Sequence, residues 1–351
     1  MRVFFVVISL CSLIACTDPV EPVHKTKILS FGTYVDVSIS GVNKQQASIA
    51  IQRIEQELDY MHQQWHAWRP SSITQLNAQL QSQKEFQIQP DLLPLLIQSK
   101  LLYRRSNGYF NPAIGKLIEL WGFYKDDPQS NLLIPETKAI ESLLNSSPNM
   151  DDIIIQGNLV RGSNPHIQID FGGYAKGFGV EQLVKQLRAN NISNALINAG
   201  GDIKAIGSVI NRPWKIAIQN PHNSSPLGWV NLNSNESIFS SGDYQRFFEY
   251  QGKRYHHIIN PKTGYPSSNA KAVTVITEDA AEADAAATAL MVAPKAEWFS
   301  LAKKLQLDHV LIVDSSGKLY CDDLFAKRLQ LVEQQQLNLL GSINPRQNSG
   351  T

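Results

Sequence analysis

Cysteine is scarce in this sequence, with three in 351 residues, Cys11, Cys16 and Cys321. So few thiols cannot form a disulfide framework or a thiolate metal site. An excess of either charge is also missing, since 32 Lys+Arg face 31 Asp+Glu for a net of +1. No basic run interrupts that balance, which argues against nucleic acid as the main partner. Charged residues amount to only 18%, below the ~25% of an average globular chain. An anionic ligand would therefore be held by a few placed groups rather than by a broad positive field. What is abundant is apolar residues, at 43%, in a length sufficient for one large domain or two ordinary ones.

Two of the three cysteines fall in the first 16 residues. Arg2 precedes an apolar run over 3–14, broken only by Ser9, Cys11 and Ser12. At ~12 residues the run is too short to span a bilayer and has the length of a signal-peptide apolar region. It ends in Leu13-Ile14-Ala15-Cys16, similar to a bacterial lipobox, in which cleavage before Cys16 leaves that residue lipidated. An ordinary secretory signal with an incidental cysteine is the alternative. The polar, proline-bearing stretch that follows suits a tether. The sequence thus divides into a signal peptide (1–15), a lipidated Cys16 with tether (16–26), a folded domain (27–333) and a polar tail (334–351) expected to be poorly ordered.

Within the domain, 33–40 alternates and is β-branched, which predicts a strand. Helical spacing appears over 44–64 (Ile49, Ile51, Ile54, Leu58, Met61) and over 91–106 (Leu92, Leu95, Leu96, Ser99, Leu102). A helix near 135–144 precedes short strands at 153–155 and 159–161. A strand at 166–170 then leads through a glycine loop into a helix at 177–190. Strands are predicted at 195–197, 214–219, 237–239, 254–257, 272–276 and 309–313, and helices at 280–292 and 294–305. With no repeat of solenoid period and no steady βαβ alternation, the fold class is α+β, one compact unit of two lobes.

Chemistry concentrates in a few segments. Asp170-Phe171-Gly172-Gly173-Tyr174-Ala175-Lys176-Gly177 opens a helix, where adjacent glycines admit a ligand and the helix N-terminus favours anions. Asn198-Ala199-Gly200-Gly201-Asp202 and Ser240-Ser241-Gly242-Asp243-Tyr244 are further strand-end turns, ordinary taken singly but able to converge on one cleft. His257 leaves a strand just before an Asn260-Pro261-Lys262-Thr263-Gly264 turn, a placement that suits proton transfer. Asp284 and Thr288, four apart in an alanine-rich helix, put a carboxylate and a hydroxyl on one face. Such oxygen donors suit Mg²⁺, although a solvated Asp beside a backbone-bonded Thr has the same spacing.

Taken in order from Phe31 to Cys321, these segments resemble the ApbE-type flavin transferases, the FAD:protein FMN transferase family, with a T-fold-related unit and a FAD cleft. The resemblance also covers Phe31-Gly32-Thr33, Gly108-Tyr109-Phe110-Asn111-Pro112 and Leu120-Trp121-Gly122-Phe123. It implies cleavage of FAD at its pyrophosphate, transfer of FMN to a Thr or Ser hydroxyl of a partner protein through a phosphoester, and release of AMP. In that scheme Asp284, Thr288, the Gly173 carbonyl and Ala287 hold Mg²⁺, and His257 is the base, with Lys176 and Asp284 also catalytic. Phe31, Trp68, Tyr109, Phe110, Asn111, Asp170, Lys176, His257, Ile258 and Ile259 hold FAD. The partner would carry a Ser/Thr-Gly-Ala-Thr-like segment, and the lipid on Cys16 would place the enzyme on a membrane facing the periplasm, the inner membrane by expectation. Trp68 stands where Tyr is usual, which leaves open a FAD pyrophosphatase giving FMN and AMP. A flavin-binding lipoprotein without chemistry is the non-enzymatic alternative.

Overall fold

Nine strands form the central sheet, and their spatial order repeats their order along the chain: His24–Ser30, Thr33–Ser40, Asn194–Ala199, Asp202–Ile206, Ser237–Gly242, Ala270–Thr277, His309–Asp314, Leu319–Cys321 and Leu337–Leu339. Every neighbouring pair is antiparallel except the last, which is parallel. This computed structural model describes residues 22–125, 134–209 and 212–343. The predicted signal peptide, Cys16 and residues 344–351 lie outside the described residues.

Side-chain alternation sends the two sheet faces into different cores. Val35, Val37, Ile39, Phe239, Val275 and Ile312 face the helices. Ile203, Ile238, Ile276, Leu311 and Val313 face a second layer, which includes the sheet of Trp214–Gln219, Pro226–Leu232 and Gln330–Leu331. A third buried cluster is aromatic, with Trp121, Phe123 and Phe248 packed beside Ile114, Ile140 and Ile259. The α+β expectation of a single unit holds.

Helix phases follow the apolar stripes, with one revision. Leu92–Arg105 buries Leu92, Leu95, Leu96, Ser99 and Leu102, as the spacing predicts. In Lys44–Gln64 the buried stripe is Ala47, Ala50, Ile54, Leu58 and Met61, while Ile49 is exposed. Two alanines set that face because the helix needs close approach more than bulk. Asn43 caps its start by accepting from the Gln46 N–H at 3.0 Å.

Two other expectations are corrected. Residues 166–170 form no ladder strand, since only Gln168 makes a bridge, to Ile114. The segment instead runs along Asn77, whose side chain donates to the Ile169 carbonyl (3.0 Å) and accepts from its N–H (2.6 Å). The poorly ordered tail does not begin at 334. Leu337–Leu339 pairs with Leu319–Cys321 and Ile343 is buried, because alternate apolar residues in a polar stretch suffice for an edge strand.

Candidate active site

Two helices form the floor of the site. Ala280–Val292 is almost wholly buried and lies against Ala175–Ala189. A Cβ on Gly177 would stand 2.2 Å from the Ala280 carbonyl oxygen, so only glycine permits this approach. The Ala175–Ala189 helix has no side-chain cap of its own. Asp284 supplies one from the other helix, its Oδ2 accepting from the Gly177 N–H at 3.0 Å. Glu181 returns the favour, accepting from the Ala280 N–H at 2.8 Å, and pairs with buried Lys204 at 3.0 Å.

The three glycine-bearing loops do converge. Lys176 Nζ pairs with buried Asp202, whose Oδ1 accepts from the Ser240 N–H at 3.0 Å. Ser241 Oγ lies 3.5 Å from Thr288 Oγ1. A Cβ on Gly173 would sit 2.9 Å from that Thr288 oxygen, which places the Gly173 backbone against the hydroxyl. Ala287 is fully buried one residue before Thr288. Burial opposes a charge on Lys176, but Asp202 and Asp284 outweigh it and hold the ammonium protonated. Burial raises the Asp284 carboxyl above the carboxylate range, against the pull of Lys176 and with the push of Asp202. Two carboxylates thus face one ammonium in an enclosed space.

The residues there fit a hard divalent cation. Asp284, the Thr288 hydroxyl and the Gly173 carbonyl are oxygen donors, and one or two carboxylates plus phosphate oxygens are what Mg²⁺ uses. Among the described residues no group of three or more His, Cys, Asp or Glu could hold a metal, so a cation here would depend on a hydroxyl, carbonyls and the ligand itself.

His257 follows the strand Lys253–His256 and is followed by Ile258, which joins the helical core, and Ile259, which joins the aromatic cluster. Its N–H and its Nδ1 meet one acceptor, the Arg246 carbonyl, at 3.0 and 3.2 Å. A carbonyl only accepts, so Nδ1 carries the proton and Nε2 keeps a lone pair. Burial, with the neighbouring His256, lowers its pKa to about 3.

The remaining predicted residues fall into two groups. Asp170 is raised by burial, against the Gly172 N–H and the indole of Trp68, which donates to Asp170 Oδ2 at 3.0 Å. Phe31 takes a left-handed backbone, φ 53°, at the hairpin turn and packs near Trp65, with ring centroids 6.4 Å apart. Phe31, Trp68 and Asp170 are half-buried. By contrast Tyr109 and Phe110 are buried, Phe110 against Tyr174 at 5.9 Å and Tyr109 beneath Lys262 at 3.8 Å. Asn111 spends its carboxamide on the turn, donating to the Pro148 carbonyl and accepting from the Ala113 N–H. The Ile258 N–H and carbonyl are engaged with His256 and Ser267. Sequence reasoning assigned no role to Asp202, Glu181 or Arg246. The signal for Asp202 was present, because a half-buried lysine requires a carboxylate and Asp202 ends the neighbouring glycine turn.

The chain is similar to known proteins along most of its length. The ApbE family model matches residues 31–311. A FAD:protein FMN transferase of Rhodobacter capsulatus is 37% identical over 317 residues, which cover 90% of this chain and 60% of that protein. One from Vibrio cholerae is 28% identical over 324 residues, covering 90% of this chain and 96% of that protein. The ApbE protein of Thermotoga maritima superposes with a TM-score of 0.79 at 26% identity, over 88% of this chain and 99% of that one. The flavinyl transferase ApbE of Pseudomonas stutzeri gives 0.76 at 25%, over 88% and 97%. With its fold, its converging loops and its family match over most of its length, the chain belongs to the ApbE family.

Proposed function

We propose that this chain is a FAD:protein FMN transferase. The observation that carries the reading is the pairing of an enclosed oxygen-donor cluster, Asp284, Thr288 and Gly173, with a histidine held in its base-competent tautomer. The same relatives that match the sequence bear this name. Nε2 of His257 takes the proton of an acceptor Ser or Thr hydroxyl, a poor nucleophile while neutral. The oxygen bonds to the FMN-side phosphorus as the anhydride bond to AMP breaks, and AMP leaves. Lys176 presents its ammonium toward the phosphates, and Asp202 fixes its direction. Asp170 and Trp68 orient the donor, and Phe31 supplies an apolar wall. A Mg²⁺ ion held by Asp284, Thr288 and the Gly173 and Ala287 carbonyls would offset pyrophosphate charge. A base with so low a pKa is weak in the free enzyme, but the negative phosphates arriving beside it would raise its basicity.

The acceptor is a protein with a Ser/Thr-Gly-Ala-Thr-like segment, and lipidated Cys16 would hold the enzyme at a membrane surface facing the periplasm. Among the described residues no helix is long and apolar enough to cross a membrane. The test incubates the chain with FAD, Mg²⁺ and an acceptor bearing such a segment, and reads the acceptor's intact mass. A gain of one FMN phosphoryl group with stoichiometric AMP is expected. Free FMN and AMP with an unmodified acceptor would instead assign a pyrophosphatase, and FAD binding without turnover would assign a carrier.

A further inference from the structure

His257 is oriented by the carbonyl of Arg246, which the ribbon holds only through the His257 N–H itself, at 3.0 Å. Arg246 precedes the strand Phe247–Tyr250, whose partner Lys253–His256 runs out beside His257 with Phe247 opposite His256. Residues 246 and 257 are thus the next pair beyond the ladder's end. Among the described residues this sheet has two strands, and a two-stranded ribbon is marginal without outside support. Phe248 and Tyr255 pack its middle into the aromatic cluster, and at its end the Arg246 side chain adds an anchor, its Nη2 donating to the Lys125 carbonyl. The segment bearing Lys125 is itself packed in place. Phe123 stacks on Phe248 with centroids 5.7 Å apart, and Tyr124 lies 5.4 Å from Trp68, the residue bonded to Asp170.

We propose that Arg246 is a positioning residue for the base: anchored on the Lys125 carbonyl, its side chain aims its own carbonyl and so holds the His257 ring with Nε2 toward the acceptor hydroxyl. This rests on the reading of His257 as the base. The guanidinium touches neither reacting atom in this role. It acts through a backbone oxygen, which a substitution cannot delete but can misdirect. Proton transfer is sensitive to such an error, since a displacement near 1 Å costs on the order of 10²-fold in rate.

The experiment is a double-mutant cycle on FMN transfer, using the full chain, FAD, Mg²⁺ and an acceptor bearing a Ser/Thr-Gly-Ala-Thr-like segment, read by intact mass under single-turnover conditions. Arg246→Ala is expected to lower kcat by roughly 10- to 100-fold while KM for FAD stays within about threefold. In a His257→Ala background the same change should cost less than about twofold, because the group it positions is gone. ¹⁵N spectra of histidine-labelled protein should show His257 as the Nδ1–H tautomer in the wild type and a mixture of tautomers in Arg246→Ala. Arg246→Lys, which can still reach a carbonyl, should recover most of the rate. An equal loss in both backgrounds, or a rise in KM in place of a fall in kcat, would place Arg246 in donor binding and overturn the proposal. Should Arg246→Ala unfold, Arg246→Met, which keeps the stem but cannot donate to the Lys125 carbonyl, carries the same readouts, and an unchanged His257 tautomer together with a loss equal in both backgrounds overturns the proposal there. Transfer at the wild-type rate by His257→Ala would instead remove His257 as the base, a different failure from loss of coupling alone.

Discussion

On the proposed cation side of the site, Asp284 and Thr288 stand on a helix buried along nearly its whole length, closely packed by backbone and alanines and facing the Lys176–Asp202 pair and Ser241. The Gly177 N–H, the Gly173 backbone and the Ala280 carbonyl all lie within van der Waals or hydrogen-bond reach. On the base side, His257 stands at the end of a two-stranded ribbon, steadied by large aromatic rings and one arginine. The first region is set by close backbone approach with a few short polar links, and the second by large side chains. Small residues leave a region no room to adjust, whereas rings and long side chains can repack. A defect on the cation side should therefore appear as lost stability, and one on the base side as lost rate in a folded protein.

The sharpest way to break this contrast is to remove His257. His257→Ala should lower FMN transfer by about 10²–10⁴-fold, the usual contribution of a general base, with a melting temperature near that of the wild type. Next comes Gly177→Ala. Its added methyl meets backbone rather than a movable side chain, so chemical denaturation should show a loss of roughly 1–3 kcal/mol, the usual cost of overpacking. A stable Gly177→Ala protein would show that the helix pair is looser than its geometry implies. Smaller again is Trp68→Phe, which keeps an aromatic ring but deletes the hydrogen bond to Asp170. With one such bond worth about 1 kcal/mol, KM for FAD should rise by roughly fivefold, and an unchanged KM would remove Trp68 from donor binding.

The smallest effect concerns pH. His256 and His257 both have pKa values lowered by burial in the folded chain. Below the ordinary histidine value of about 6.5 the unfolded chain therefore binds more protons than the folded one. Their contribution to stability is intact above that pH and is lost as pH falls from there toward about 3. Thermal melts from pH 7 to pH 5 should show a falling midpoint that is flatter in His256→Asn. An equal slope in that variant would assign the loss to other groups.

Much of this was legible from residue pattern. The Leu92–Arg105 stripe and the whole Ala280–Val292 helix read directly, because periodicity and alanine content leave few alternatives. The four-residue spacing of Asp284 and Thr288 gave their shared helix face, while a role in holding a cation came only from the family resemblance. Ile49 was misread because hydrophobicity ranks it above Ala47 and Ala50, although a close helix contact selects the smaller residue. The stretch 166–170 looked like a strand, but its backbone groups are divided between the 112–115 segment on one side and the side chains of Gln81 and Asn77 on the other, Asn77 being 92 positions from Ile169. Arg246 was invisible because its role lies in a carbonyl, which every residue has. Only the folded chain shows which one a histidine meets.

Most of the site lies in excursions between strands that are neighbours in both chain and central sheet: residues 41–193 carry Trp68, Asp170 and Lys176, 243–269 carry His257, and 278–308 carry Asp284 and Thr288, while Asp202 and Ser241 stand on the strands themselves. Lengthening or trimming the loops of one excursion re-threads no other connection and leaves the pairing of the central sheet intact. The architecture is modular for evolution and for the protein engineer. The segments that on the proposed reading hold the donor nucleotide, meet the acceptor and carry the oxygen ligands share a constant spine, and an exchange of one has only to keep its contacts with the others, such as Gly177 on Ala280 and Phe123 on Phe248. Chimaeras cut at strand ends are the natural route to altered acceptor choice.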